Sequence, residues 1–152
     1  MLTIVPYLPK YAHNFKELNL AWITEYFEVE NKDVELLDNC QSAIIDKEGY
    51  IFTALWNQQP AGCFAFLKVD EGIYELGKMA VSKAYQGLQI GQKMLAFAKD
   101  FAKNQNWSKI ILYSNTKLDT ALHIYKKYGF QHVDLEDHVV YIRSDIKMEL
   151  NL

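Results

Sequence analysis

Two glycines, Gly87 and Gly91, lie in a loop of small residues that joins a predicted strand ending at Val81 to a predicted helix. Backbone N–H groups in such a loop and at an open helix N-terminus have no intrahelical acceptors, and the helix dipole adds partial positive charge there. A phosphate or pyrophosphate is therefore a natural ligand. The sequence contains neither the Lys-Ser or Lys-Thr pair of a Walker loop nor the three glycines of a dinucleotide fingerprint. The alternative is a tight turn before a helix, with no ligand.

Two segments resemble the two signatures of the GNAT acetyltransferase superfamily. The loop Gln86-Gly87-Leu88-Gln89-Ile90-Gly91 resembles the family's Gln/Arg-x-x-Gly-x-Gly/Ala loop. Residues 121–130, Ala-Leu-His-Ile-Tyr-Lys-Lys-Tyr-Gly-Phe, resemble its Ala-x-x-x-Tyr-x-x-x-Gly-Phe signature. The two segments occur in the family's order and at its usual separation, and the resemblance covers roughly residues 50–150.

This resemblance implies a site for acetyl-CoA. Tyr125 would protonate the departing thiolate, and the strand edge at Met79 and Val81 would pair with the pantetheine arm. The backbone amides of the loop would bind the pyrophosphate. These amides belong to Gln86, Gly87, Leu88, Gln89, Ile90, Gly91 and Gln92.

Two positions depart from the family's pattern. Gln89 stands at the middle glycine of the loop, and Leu118 stands where many members have an asparagine seven residues before the tyrosine. Asn115, three residues earlier, is the candidate to replace that asparagine in cofactor binding. These departures keep open a non-catalytic acyl-CoA-binding regulatory module with the same fold.

Acetyl transfer to an amine needs a neutral nucleophile and a proton for the thiolate. A lysine-like amine of pKa ~10.4 loses its proton at pH 7 at a cost of roughly 4.6 kcal/mol. Glu75 lies six residues before Val81, where some family members place a general base, and strand alternation predicts that it shares a face with Gly77, Met79 and Val81. The alternatives are a water relay as the base and a solvated Glu75 paired to a cation. For Tyr125 the alternative is a core tyrosine, because it lies on the apolar stripe of its helix.

The acceptor side carries weaker signals. Trp22 and Tyr26 are predicted to wall a pocket together with Phe27, and the alternative is that all three are core or cap residues. Arg143 either binds a substrate carboxylate or forms an ion pair at a strand edge. The histidines show no metal-ligand spacing, so no metal is implied.

Periodicity predicts the elements that position these residues. Apolar residues at helical spacing predict helices at 11–28, 33–39, 91–105 and 117–128. Apolar and β-branched runs predict strands at 2–7, 50–56, 61–69, 73–81, 109–113, 130–134 and 139–150, with a hairpin connection at 57–60. The predicted fold is α/β (α+β), a single mixed, partly parallel twisted sheet of about seven strands flanked by about four helices.

Length and composition bound the remaining possibilities. A chain of 152 residues predicts one domain, with residues 1–49 as an N-terminal strand and acceptor-side helices and residues 50–150 as the acetyl-CoA-binding core. Sixteen Lys and Arg against nineteen Asp and Glu give a net charge of −3, which argues against a nucleic-acid partner. No targeting or membrane-spanning segment is recognisable, so a cytoplasmic protein without a membrane partner is expected. A homodimer through the closing strands is a further expectation, since the family often forms one.

The predicted function is that of an N-acetyltransferase. It would move an acetyl group from acetyl-CoA to a primary amine of a small molecule or peptide, by direct attack in a ternary complex.

Overall fold

The computed structural model describes residues 1–152 and contains five α-helices and one seven-stranded sheet. The strands are β1 (Leu2–Pro6), β2 (Tyr50–Trp56), β3 (Gln59–Asp70), β4 (Ile73–Val81), β5 (Lys109–Ser114), β6 (Gln131–Val133) and β7 (Ile146–Asn151). The helices are α1 (Ala12–Tyr26), α2 (Asn31–Asp38), α3 (Cys40–Ala43), α4 (Ile90–Asn104) and α5 (Asp119–Lys127). None of these helices has the length and hydropathy needed to cross a bilayer.

The sheet order is β1-β2-β3-β4-β5-β7-β6. Strands β4 and β5 are parallel, because α4 crosses over between them, and every other neighbouring pair is antiparallel. The predicted mixed, partly parallel sheet of seven strands is therefore confirmed.

The sheet separates two hydrophobic cores. The larger core includes α4, whose Met94 and Ala98 are fully buried at the predicted i, i+4 spacing. It is rich in aromatic rings, among which Tyr74 and Trp107 stack with centroids 3.6 Å apart. The smaller core lies on the other face under α1, α2 and α3, where Phe15 belongs to the fully buried residues. Most of the aromatic content of the sequence is thus core filling.

The hairpin between β2 and β3 is tighter than predicted. The sequence predicted a four-residue connection, whereas the turn is Asn57-Gln58, with φ of 48° and 72°, and β3 begins at Gln59. Positive φ at both central residues is typical of type I′ turns, whose twist matches that of the flanking strands, and asparagine tolerates this conformation.

The closing strand is shorter than predicted. Residues 139–145 were expected in a strand, but β7 begins at Ile146 and residues 134–145 have no regular structure. Backbone amides of Ile142 and Arg143 donate to the carboxylate of Glu30, which precedes α2, instead of joining the sheet. We call residues 134–145 the β6–β7 loop.

Candidate active site

A split in the middle of the sheet forms a cavity that we call the main cavity, because the predicted acid Tyr125 and the predicted base Glu75 both line it. Strand β4 pairs with β5 only as far as Glu75, which lies opposite Ile111, while β5 continues along β7 to Ser114. From Leu76 onward, β4 has no ladder partner on the β5 side. A cavity of about 240 Å³ lies in this split, lined by both strands, α5, the end of α1 and the β6–β7 loop. The free strand edge can pair with an extended ligand.

A β-bulge at Lys78 reverses the faces of the second half of β4. Lys78 has φ of 52°, and the register with β3 passes from Gly77 to Ala80 with an extra residue on β4. Met79 and Val81 consequently pack against the larger core, whereas Ala80 belongs to the smaller one. The prediction that Glu75 shares a face with Met79 and Val81 is therefore wrong, because strand alternation does not continue through a bulge.

A buried cluster of charges holds the bulge and the β6–β7 loop against α2. The carboxylate of Asp33, which is fully buried, accepts hydrogen bonds from Lys78 Nζ at 2.6 Å and from both Arg143 terminal nitrogens at 2.7 Å. Burial by itself would raise the pKa of Asp33, but the hydrogen bonds from Arg143 and Lys78 together outweigh it and lower the pKa to about 2. Glu30 completes the cluster, 3.4 Å from Arg143.

The aromatic ring of Tyr141 lies within cation–π distance of both cations of this cluster. Its centroid is 4.5 Å from Lys78 Nζ and 4.3 Å from Arg143 Cζ, which are cation–π distances. The Tyr141 hydroxyl is buried without a hydrogen-bond partner, and burial, the largest cause, raises its pKa. The ring therefore fixes both cations beside the cavity, which it also lines.

Beyond the cavity, the backbone of β4 continues into an amide-rich loop. The backbone amides of residues 87–92, six in succession, donate no hydrogen bond within the protein, whereas that of Gln86 donates to the Lys83 carbonyl oxygen at 3.4 Å. No side chain caps α4, and no acidic residue lies in its first turn. Lys127 Nζ lies 3.2 Å from Gln92 Oε1 and adds a cation nearby. Open amides at a helix N-terminus fit a phosphate or pyrophosphate group.

Positive φ in this loop occurs at Gly87, at 87°, and at Gln89, at 59°. A β-carbon at Gly87 would meet no atom within 4 Å, so glycine supplies conformational freedom here rather than space. Gln89 adopts the left-handed conformation without glycine, at a cost of ~1–2 kcal/mol. The missing middle glycine thus leaves strain at Gln89.

Tyr125 extends from α5 into the wall of the cavity. Its hydroxyl has no hydrogen-bond partner in the protein, and burial raises the pKa of Tyr125 to about 12. The phenol is therefore neutral at pH 7 and can donate a proton to a group that develops negative charge in the cavity.

Glu75 is the carboxylate in the cavity wall that has no ion-pair partner. Burial raises the pKa of Glu75, although the charge of Lys78 acts in the opposite direction. Gly77, two residues further along β4, has no side chain, and a β-carbon there would lie 3.6 Å from Glu75 Oε2. A half-buried carboxylate of raised pKa without a partner is suited to accepting a proton.

A sequence model of the acetyltransferase (GNAT) family matches residues 15–130. This chain belongs to the GNAT acetyltransferase family. The curated relative probable N-acetyltransferase 14 of Xenopus tropicalis is 30% identical over 83 residues, which make up 53% of this chain and 40% of that protein. The aligned part thus spans less than half of that relative.

Solved structures of the family share the fold. A GNAT-family acetyltransferase from Staphylococcus aureus Mu50 superposes with a TM-score of 0.87 at 24% identity, covering 99% of both chains. The PaiA N-acetyltransferase of Thermoplasma acidophilum, solved in complex with coenzyme A, superposes with a TM-score of 0.78 at 14% identity, covering 100% of this chain and 99% of that one. At these identities the likeness establishes the fold.

The family's second signature and the predicted base meet at one place. Six of the site residues singled out from the sequence line the cavity together, and they are Trp22, Glu75, Met79, Asn115, Tyr125 and Arg143. Their chemical roles stay predictions. Val81 and residues 86–92 lie outside the cavity, along the same continuous backbone.

Asn115 is engaged within the protein. Its Nδ2 donates to the Arg143 carbonyl oxygen at 2.7 Å, and its Oδ1 accepts from the Lys117 amide at 2.8 Å. These bonds tie the end of β5 to the β6–β7 loop. A contact with a cofactor would have to use the remaining hydrogen-bonding capacity of the amide.

Two acceptor-side predictions are changed by the structure. Tyr26 does not line the cavity; it is 51% exposed and borders a separate surface groove, while Phe27 packs edge-to-face against Trp22 in the cavity wall. Arg143 forms the ion-pair alternative, but in the β6–β7 loop rather than at a strand edge. Its guanidinium is committed to Asp33 and is not free for a substrate carboxylate.

Sequence reasoning missed Asp33, Lys78 and Tyr141. A lysine in the middle of an otherwise apolar central strand is one usable signal, because a buried lysine requires a partner. Glu30 and Asp33 form a reciprocal capping box at the start of α2, and their spacing was also visible in the sequence. The pairing of Lys78 with Asp33, which lies 45 residues away, was not visible in the sequence.

Proposed function

We propose that this protein transfers the acetyl group of acetyl-CoA to the primary amine of a small molecule or peptide. One observation carries the proposal: open amides 87–92 and the unpaired edge of β4 form a continuous backbone surface that leads into a cavity bearing Tyr125 and Glu75. This surface offers amides for a pyrophosphate at one end and a strand edge for an amide-containing arm. The coenzyme A complex of the Thermoplasma relative supports the same choice of ligand.

Glu75 and Tyr125 carry out the two proton transfers that the reaction needs. The amine nitrogen attacks the thioester carbonyl, so a C–N bond forms and a C–S bond breaks. Glu75 takes the proton of the amine, directly or through water, and the raised pKa of this carboxyl brings it closer to neutrality and makes it the stronger base. Tyr125 gives its proton to the thiolate, since a phenol with a pKa of about 12 holds that proton at pH 7.

The positions of the two cysteines agree with direct attack in a ternary complex. Both Cys40 and Cys63 are buried in the smaller core, and neither lines the cavity. Burial raises the pKa of Cys63 to about 12, which keeps it protonated and poorly nucleophilic. A covalent acetyl-enzyme on either thiol therefore has no support.

Two measurements test the proposal. Calorimetric titration should show binding of acetyl-CoA, and release of the free thiol from acetyl-CoA should depend on added amine. Omission of the amine is the control, because thioester hydrolysis alone also releases thiol. Absence of binding would overturn the proposal, and binding without turnover on any amine would favour a non-catalytic acyl-CoA-binding module.

A further inference from the structure

A second cavity adjoins the candidate active site on the side of the smaller core. It has a volume of about 150 Å³ and shares part of its wall with the main cavity. The residues common to both are Leu67, Glu75, Tyr113, Tyr141 and Ser144. We call this second cavity the side pocket. Because Glu75 belongs to both walls, a molecule whose amine lies at Glu75 can extend its other end into the side pocket.

The side pocket is mainly apolar. Beyond the shared residues its wall is built largely of aliphatic side chains, which are Leu36, Val69, Ile111, Val139 and Val140. Val69 is 54% exposed and Val140 67%, so an apolar rim faces the solvent. A cavity of about 150 Å³ lined by aliphatic side chains is large enough for benzene.

Charges around the two cavities select against other acceptors. Lys78 and Arg143 are both engaged by Asp33, and Lys32 of the side pocket pairs with Glu35 at 3.0 Å. Neither of the two buried cations is thus free for a substrate carboxylate, which would also lose its hydration among the valines of the side pocket. A second ammonium group reaching past Glu75 would lie among valines and beside Lys32, where both desolvation and like charge disfavour it.

We propose that the acceptor is a primary monoamine with an apolar substituent, about the size of a phenyl ring or a short alkyl chain, and without a carboxylate. This inference rests on the proposed function. Glu75 receives the amine, and the side pocket receives the apolar substituent, which contributes binding through the apolar area it removes from water.

A panel of five amines tests the substrate class: 2-phenylethylamine, hexylamine, ethylamine, phenylalanine and spermidine. Each is assayed by thiol release from acetyl-CoA. We expect kcat/KM for 2-phenylethylamine and hexylamine to exceed that for each of the other three by at least about tenfold, since even one methylene in an apolar pocket changes it by ~10–200-fold. A preference for phenylalanine, spermidine or ethylamine would overturn the inference while leaving acetyl transfer intact.

Val139→Phe tests the location, because the larger side chain fills the side pocket at a position that is only partly buried. The ratio of kcat/KM for 2-phenylethylamine to that for ethylamine should fall at least about tenfold. The matched control is Val34→Phe, an exposed valine of α2 that lines neither cavity and should leave this ratio unchanged. An unchanged ratio in Val139→Phe would overturn the assignment of the side pocket.

Calorimetry separates a failure of this inference from a failure of the proposed function. Binding of 2-phenylethylamine to the protein with coenzyme A present, weakened by Val139→Phe but not by Val34→Phe, would support the side pocket even without turnover. If the protein binds acetyl-CoA but not 2-phenylethylamine, the inference fails alone. If it binds neither, both fail.

Discussion

The two sides of the split sheet expose different kinds of polar group. The side formed by the β4 edge and residues 87–92 offers backbone amides and a helix N-terminus. The acceptor side relies on side-chain charges, with Asp33 holding Lys78 and Arg143 in a buried cluster and Glu75 left unpaired. Backbone dipoles do not change with pH and require few particular side chains, whereas a buried charge is tolerated only when each of its partners is present. In a chain of net charge −3, a pyrophosphate site would have to use the first kind.

The acceptor side should be the easier one to break by removing a charge. Asp33→Ala leaves Lys78 and Arg143 without their shared partner, and we expect the free energy of unfolding to fall by about 3–5 kcal/mol in urea denaturation. The control, Asp38→Ala, removes an exposed ion pair with Lys16 and should leave the free energy of unfolding nearly unchanged. Equal, small losses in both variants would mean that the cluster is not needed for stability.

The same cluster predicts that the free energy of unfolding decreases at acid pH. Because the pKa of Asp33 is lowered to about 2 in the folded state, against ~3.9 unfolded, its contribution of about 2–3 kcal/mol is present above pH 4 and lost as pH falls towards 2. This part of the pH dependence should be missing in Asp33→Ala.

Tyr125→Phe tests the proton donor at the meeting point of the two sides. Removal of the hydroxyl should lower kcat by about 100-fold while acetyl-CoA affinity changes by less than about twofold, because the phenol acts on the leaving group rather than on binding. Tyr128→Phe is the matched control, since Tyr128 lies on the same helical stripe and does not line the cavity. An unaltered kcat in Tyr125→Phe would contradict its role as the acid.

Glu75→Gln tests whether the unpaired carboxylate speeds the reaction and at the same time lowers the stability of the fold. We expect kcat/KM at neutral pH to fall about 10–100-fold, and the decline that the wild type shows as pH is lowered through the raised pKa of Glu75 to disappear. A carboxyl whose folded pKa is raised favours the folded state below its ordinary pKa of ~4.3 and loses that contribution as pH rises. The variant should therefore be at least as stable as the wild type at pH 7. Glu71→Gln, at a 92% exposed side chain, is the control and should change neither property.

Gly87→Ala and Gln89→Gly should act in opposite directions on the backbone side. Alanine at φ of 87° strains the loop without a steric clash, and we expect acetyl-CoA to bind up to about tenfold more weakly. Glycine at position 89 relieves the left-handed strain and should strengthen binding by up to about tenfold. Calorimetric dissociation constants that do not move in either variant would show that the loop conformation does not limit binding.

Much of the backbone side was predictable from sequence. The two signatures around Gly87 and Tyr125 indicated the family, and the positions of β4, α4 and α5 followed from periodicity. The acceptor side was predicted less well, because Arg143 and Asp33 are separated by 110 residues and no local pattern connects them. Residues 139–145 have the composition of a strand, but ion pairs and hydrogen bonds to Glu30 and Asp33 hold them in a loop.

Local sequence alone accounts for the elements whose conformation depends on near neighbours: the amphipathic helices, most of the strands and the loop that opens α4. Tertiary structure alone decided that Lys78 forms a bulge, that β4 changes faces there, and that Asp33 is paired while Glu75 is not. The physical reason is the distance along the sequence over which each interaction acts. Helix and turn preferences are set within a few residues, whereas the cost of burying a charge depends on which distant groups the fold brings within hydrogen-bonding distance.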